Sequence, residues 1–175
     1  GQQDTCRLLP VPTTGSLLLM VVQGLECLGE LGRHRAPAHV HVLGHRDPRV
    51  AELVAKARAG VRVRLSFGDP NAETVRIRGV EEGIGESLAE RCRLTWKYLD
   101  PILAEPEVSV RAHATTLYCS MFRFDNDLLA NHHLLGAPAN HSPELHIRRL
   151  VGGRLFDHYL KSFERVWDGA AAPQP

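Results

Sequence analysis

The stretch "VSVRAHATTLYCSMFRFDNDLLANHHLLG", residues 108–136, decides the fold that the sequence predicts. Its first part is rich in β-branched and aromatic residues, which favours one long strand up to Phe124. The "DND" that follows is a turn signal, and "LLANHHLLG" reads as a returning strand. The stretch therefore predicts a β-hairpin with an unusually high density of hydrogen-bonding side chains.

The segments before this hairpin alternate between helix and strand patterns. "DPRVAELVAKARAG" predicts a helix that Asp47 caps, with Pro48 at its first position and Gly60 at its end. "VRVRLSF", residues 61–67, alternates strictly and predicts a strand. Apolar residues at helical spacing predict a long helix over residues 83–103.

The remaining segments complete one α/β domain. Ser16 can cap a helix that runs to about Leu31, and residues 38–44 are short and β-branched, as in a strand. "SPELHIRRL" predicts a further strand, and residues 153–167 predict a final helix. This order favours a mixed sheet flanked by helices. We expect residues 1–14 to be a lead-in, 15–168 the domain, and 169–175 a flexible tail.

Composition narrows the class of protein. Basic and acidic side chains number 21 and 20, which gives a net charge of +1 and no general attraction to nucleic acid or membranes. The apolar run over residues 16–22 is far shorter than the roughly 20 residues that span a bilayer. The four cysteines are widely spaced, as in reduced proteins. We therefore expect a cytoplasmic chain with no membrane partner.

The hairpin supplies the first set of candidate ligand-binding residues. Side chains alternate between the two faces of a strand, so His113 and Thr115 share one face, and Asn131 and His133 share a face of the returning strand. Neutral hydrogen-bonding side chains at this density suit a ligand pocket, although polar residues facing water are the alternative. The candidates are His113, Thr115, Tyr118, Ser120, Arg123, Asn131 and His133.

A second set follows the predicted strand over residues 61–67. Asp69 comes directly after that strand, where α/β sheets place their ligands. Arg78, Glu81 and Glu82 lead into the predicted long helix, where they either contact a ligand or simply favour the helix N-terminus. Arg148 is either surface charge or part of an anion clamp.

No metal site or cofactor is predicted. His132 and His133 are adjacent on a strand and face opposite ways, and no carboxylate or thiol lies at a suitable spacing. The glycines near residue 83 form neither a Walker loop nor a dinucleotide fingerprint.

His113, Thr115 and Ser120 stand at the spacing H-x-T-x4-S. This resembles the H-x-K-x4-D motif of the phospholipase D superfamily, in which the histidine attacks phosphorus and the lysine neutralises the phosphate. Here Thr115 replaces the lysine and Ser120 replaces the aspartate. Because a neutral threonine cannot offset phosphoryl charge, the resemblance implies the fold with no catalytic residue.

The chain is also similar to degenerate phospholipase D-like domains found C-terminal to Xre-type helix-turn-helix regulators of actinobacteria. The matching segments, from "GVRVRLSFGDP" to "GGRLFDHYLKSFERVW", span residues 60–167. The resemblance implies a sensor or effector domain of such a regulator, which meets DNA only through a domain outside this chain. From the residue chemistry we expect it to bind a small anionic or phosphate-containing ligand, or another protein, and we expect a homodimer.

Two alternatives remain open at this point. One is a dimeric single-motif phosphodiesterase or nuclease that uses His113 as its nucleophile. The other is a purely oligomerising module, with an interface made by the aromatic residues of the last helix, which are Phe156, Tyr159, Phe163 and Trp167.

Overall fold

The structure, a computed structural model, describes residues 16–20, 48–137 and 142–172. They form six strands and four helices. In chain order these are β1 (Ser16–Met20), α1 (Pro48–Arg58), β2 (Arg62–Gly68), α2 (Glu73–Glu81), α3 (Ser87–Leu103), β3 (Val108–His113), β4 (Cys119–Phe124), β5 (Asp127–His132), β6 (Glu144–Arg148) and α4 (Leu155–Gly169).

All six strands belong to one mixed sheet in the order β3-β2-β1-β4-β5-β6. β1, β2 and β3 are parallel to one another, whereas β4, β5 and β6 each run antiparallel to the preceding neighbour in the sheet. The predicted mixed α/β class is confirmed. None of the helices in the described residues is long and apolar enough to cross a membrane.

Each face of the sheet has its own apolar core. On one face, the odd-numbered residues of β2 pack with α1 and α3, together with Phe122 and Phe124 of β4. On the other face, α4 packs on β4, β5 and β6 through Phe156, Phe163 and Trp167. We call these the α1/α3 face and the α4 face. Side-chain alternation along each strand decides which face a given residue joins.

The helix predicted from Ser16 is wrong where the structure describes it. Ser16–Met20 is β1, the strand that lies between β2 and β4. A short apolar run has no period that separates helix from strand, and continuous apolar runs are typical of central parallel strands. Residues 21–31 and the strand predicted over residues 38–44 lie outside the described residues.

The single long strand over residues 108–124 is also wrong. β3 ends at His113, and β4 begins at Cys119 on the far side of β2 and β1. Thr115 and Tyr118 therefore lie in the connecting segment and not on a strand. The hairpin is formed by β4 and β5 alone, and its turn places Asp125 at a φ of 51°.

The predicted long helix is divided. α2 ends at Glu81 and α3 begins at Ser87, with the left-handed residues Gly83 and Gly85 between them. At the other end of the chain, α4 extends to Gly169, and Ala171 pairs with Ala112 of β3 through two backbone hydrogen bonds of 2.8 and 2.9 Å. Leu155, at the start of this helix, is exposed.

Candidate functional site

Polar residues gather at one end of the sheet. β1, β2, β3 and β5 finish there, and β4 and β6 begin there. We call it the carboxyl end of the sheet. Open α/β sheets bind their ligands outside the carboxyl ends of their parallel strands. The buried polar residues at this end are therefore the candidate site, and the sheet divides them into two groups.

The first group lies on the α4 face and contains His113 and Ser66. His113 is 1% exposed, and neither ring nitrogen has a hydrogen-bond partner among the described residues. Ser66 is fully buried, and its hydroxyl has no partner in that part of the chain either. His113 pairs with Gly68 across the β2–β3 ladder. Buried polar groups are nearly always hydrogen-bonded, so the atoms that lack a partner among the described residues are candidates for binding a ligand.

Burial also fixes the charge state of His113. Desolvation lowers the pKa of its imidazole to about 4. Two weaker effects raise the pKa of His113. One is the backbone at Thr115, which lies near the ring but outside hydrogen-bond geometry, and the other is the negative charge of Asp69. At neutral pH the ring is therefore uncharged, and it offers one N–H donor and one acceptor nitrogen.

Arg111 supplies positive charge beside these two residues. It pairs with Ser66 across the β2–β3 ladder and precedes His113 by two residues, so all three side chains share a face. Its guanidinium lies 4.6 Å from the centre of the Trp167 ring and donates from Nη1 to the Trp167 carbonyl oxygen at 2.6 Å. No carboxylate of the described residues forms an ion pair with it. The remaining donors of this fork suit a carboxylate or a phosphate.

The second group lies on the α1/α3 face. Ser120 pairs with Asn131 across the β4–β5 ladder, and its hydroxyl lies 3.0 Å from Nε2 of His133. Nδ1 of His133 lies 3.2 Å from the Leu117 carbonyl oxygen. The carbonyl can only accept, so Nδ1 carries the proton and Nε2 accepts from Ser120. Burial first, and then the charge of Arg78, lower the pKa of His133 to about 4.

Arg78 and Glu82 form a buried ion pair behind His133. Their side chains are only 8% and 7% exposed, and Nε of Arg78 lies 2.7 Å from the Glu82 carboxylate. Glu81 is more exposed and lies 3.4 Å from the same guanidinium. The expected helix N-terminus is wrong for these carboxylates, because α2 ends at Glu81 and α3 begins only at Ser87. They lie at the end of α2, where Arg78 offsets their charge.

The other predicted residues lie at different places. Thr115 and Tyr118 are exposed in the segment between β3 and β4. Arg123 and Arg148 lie at the opposite end of the sheet, where Arg123 donates to the Asp125 carbonyl oxygen and Arg148 contacts the Asp127 carboxylate. The hairpin therefore brings together Ser120, Asn131 and His133, and it does not bring them to His113, Arg123 or Arg148.

Asp69 lies beside the first group. Its backbone N–H donates to the His113 carbonyl oxygen at 2.8 Å, and its carboxylate accepts from the Asn71 N–H at 2.9 Å. Asp69 thus joins the end of β2 to the end of β3. In the described ranges, no three His, Cys, Asp or Glu side chains are grouped in a way that could hold a metal ion.

The sequence did not single out Ser66 and Arg111. Strict alternation in "VRVRLSF" places Ser66 opposite the apolar residues of its strand, and Arg111 shares a face with His113. The sequence alone therefore indicates the strand face of each residue. The parallel pairing of β2 with β3 brings Ser66 and Arg111 together, and the sequence predicts neither that pairing nor its register.

Comparison with protein families and with curated proteins gives no match. Among solved structures, the chain is similar to TrmBL2, an archaeal chromatin protein whose structure shows a novel mode of DNA binding. The TM-score is 0.51 and the sequence identity is 12%. At this low identity the likeness concerns the fold alone. The match covers 91% of this chain and 46% of the other, so the chain spans about half the length of TrmBL2.

Proposed function

We propose that this chain is the ligand-sensing domain of a cytoplasmic helix-turn-helix transcriptional regulator. It binds a small anionic ligand, of a phosphate-containing class, at the carboxyl end of its sheet. The observation that carries the proposal is His113, which is 1% exposed and whose two ring nitrogens have no hydrogen-bond partner within residues 16–20, 48–137 and 142–172.

The residues around His113 favour an anion. Arg111 contributes a guanidinium that forms no ion pair within the described residues, and Ser66 contributes a hydroxyl donor on the neighbouring strand. The neutral imidazole of His113 contributes a third donor. A phosphate or carboxylate group has enough acceptor oxygens to meet all three, and burial strengthens each of these hydrogen bonds.

The same geometry argues for binding without catalysis in a phospholipase D-like fold. Thr115, which stands where that superfamily has its lysine, is exposed and neutral. Ser120, which stands where it has its aspartate, is bonded to His133 on the α1/α3 face, whereas His113 lies on the α4 face. A histidine nucleophile needs a base or acid partner and a held phosphate, and neither of these two residues serves His113.

Two findings support the role in a regulator. The chain has the fold of a region of TrmBL2, a protein that binds DNA, and it spans only 46% of that protein. Its own basic and acidic side chains nearly cancel. In this proposal the domain binds the ligand, and a helix-turn-helix domain outside residues 1–175 contacts DNA.

The proposal is tested by ligand-dependent stabilisation of the 175-residue chain. Thermal unfolding is followed with inorganic phosphate and with a panel of sugar phosphates and nucleotides. A ligand at about 100 times its Kd adds about 2.7 kcal/mol, which raises Tm by about 5–10 °C in a domain of this size. We expect His113→Gln and Arg111→Gln to lose the effect, and His158→Gln, on the exposed side of α4, to keep it.

Two results would count against the proposal. One is a panel in which no anionic compound raises Tm in the wild-type chain. The other is stabilisation that His113→Gln retains in full. Hydrolysis of bis(p-nitrophenyl) phosphate by the wild-type chain, abolished in His113→Gln, would instead establish a phosphodiesterase.

A further inference from the structure

Among the described strands, β6 is the edge strand with the more open backbone. β3, at one edge, is partly covered because Ala112 pairs with Ala171. β6, at the other edge, pairs with β5 alone among the described strands. Edge strands with free N–H and C=O groups are templates for pairing with another chain.

The hydrogen bonds to β5 show which groups of β6 point outward. Arg149 donates its N–H to Asn126, and His132 donates to Pro143, in the same antiparallel register as β6. Hydrogen-bonded pairs alternate along such a ladder, so Leu145 and Ile147 direct their backbone groups to β5. The other three residues of the strand direct theirs to the open edge, and these are Glu144, His146 and Arg148.

Two copies of β6 placed antiparallel have complementary side chains. "ELHIR" places Glu144 and Arg148 at equal distances from His146. If two copies of β6 pair antiparallel about His146, Glu144 of one lies opposite Arg148 of the other, twice. Leu145 then lies opposite Ile147, and all three outward-facing residues join the ladder. Centring the pair on Glu144 or Arg148 would set like charges opposite each other, which is unfavourable.

We propose that β6 is a homodimer interface, at which two chains join edge to edge into one continuous sheet. The arrangement is isologous, as a two-fold dimer requires. Arg148 contacts Asp127 through Nε, which leaves its other nitrogens for Glu144 of the second copy, and no described residue forms an ion pair with Glu144. The inference does not use the ligand site, so either can fail without the other.

Apolar residues next to β6 extend the surface that such pairing would bury. Leu145 on the strand is exposed, and so are Leu150 and Val151 in the segment that follows it and Leu155 at the start of α4. Phe156, Phe163 and Trp167 are buried in the core of the α4 face, and the partly buried Tyr159 packs against the same core. The proposed surface is therefore the sheet edge with these exposed apolar residues, and not the aromatic side of the last helix.

A charge-swap experiment on the 175-residue chain tests the interface, with sedimentation velocity as the readout. We expect the wild-type chain to dimerise. Arg148→Glu sets two carboxylates opposite each other at both ends of the ladder, and Glu144→Arg sets two guanidiniums there. Each single variant should raise the dimer Kd at least about tenfold. The double variant Glu144→Arg/Arg148→Glu restores both pairs and should dimerise again.

Mixing the two single variants gives the sharpest outcome. A β6 strand with a carboxylate at both ends then meets a β6 strand with a guanidinium at both ends. Native mass spectrometry should therefore detect a heterodimer formed by two chains that do not dimerise alone, and this result also shows that both variants fold. Lys97→Glu on α3, on the exposed side of the α1/α3 face, is the charge-matched control and should leave the dimer intact.

Three results would overturn the inference. The first is a wild-type chain that stays monomeric, and the second is single variants that dimerise as well as the wild type. The third is a mixture in which no heterodimer forms.

Discussion

His113 is buried and His133 is partly buried, and both contribute to how the folded protein responds to acid. The pKa of each is lowered to about 4, mainly by burial. An unfolded chain binds these protons near pH 6.5, so between pH 6.5 and 4 the unfolded state binds more protons than the folded state. Stability is therefore lost as the pH falls through this window.

We expect this loss to reach about 3 kcal/mol for His113 and somewhat less for the less buried His133. Urea unfolding at a series of pH values measures it. His113→Gln and His133→Gln should each flatten the dependence between pH 6.5 and 4, and the double variant should flatten it further. A double variant with the full wild-type slope would show that these residues are not buried as neutral rings.

Arg78 offsets the negative charge of the carboxylates in the second polar group. It is 8% exposed and bonded to Glu82, which is 7% exposed. Removing one partner of a buried pair leaves a buried charge, so Arg78→Ala should lower the free energy of unfolding by about 3–5 kcal/mol.

Arg76→Ala is the matched control for this substitution. It removes an arginine from the same helix, where Arg76 pairs with Glu73 on the exposed surface. Exposed pairs contribute little to stability, so chemical denaturation should separate the two variants clearly. Equal losses would mean that Arg78 is not buried as described.

At the scale of elements, Gly79 determines how closely α2 approaches the connection to α3. A Cβ at this position would lie 2.1 Å from the carbonyl oxygen of Gly85. The same connection is held by hydrogen bonds from the N–H groups of Ile84 and Gly85 to the Gly79 carbonyl oxygen. A side chain cannot be accommodated unless the backbone moves.

Gly79→Ala should therefore destabilise the protein by more than about 2 kcal/mol, even though alanine is the better helix former. Gly169→Ala, at the end of α4, is the control, since a Cβ there meets nothing within 4 Å. Thermal unfolding should show a marked fall in Tm for the first variant and little change for the second. A stabilised Gly79→Ala would contradict the close approach.

Some elements could be predicted because one local pattern specifies each of them. α1 has an N-terminal proline and a closing glycine, β2 alternates, and the β4–β5 turn has the "DND" signal. α2 has no such pattern: Val75 is buried, but Ile77 and Val80 are exposed, so no apolar stripe marks it. β1 was assigned the wrong type because its apolar run fits a helix and a strand equally well.

The site could be predicted only in part, since it depends on which strands become neighbours. Ser120, Asn131 and His133 belong to one hairpin, and the sequence placed them together for that reason. His113 was assigned to the same hairpin, whereas β3 lies on the far side of two other strands. Long-range parallel pairing leaves no local signal, and for this reason Ser66 and Arg111 were missed as neighbours of His113.

At the scale of the whole molecule, charge argues against DNA binding by this chain alone. Twenty-one basic and twenty acidic side chains nearly cancel, and phosphate contacts dominate affinity for nucleic acid. A gel shift with residues 1–175 at physiological salt should show only weak binding to duplex DNA. Submicromolar, sequence-specific binding would place the DNA-contacting surface in this domain.

The central claim is that His113 binds an anion at the carboxyl end of the sheet. Long-range proton–nitrogen NMR of the histidine rings, during a titration with inorganic phosphate at neutral pH, tests it directly. We expect the ring nitrogens of His113 to shift saturably, the ring to stay neutral, and His158 not to respond. Unchanged His113 signals in a folded protein, with phosphate well above millimolar concentration, would contradict it.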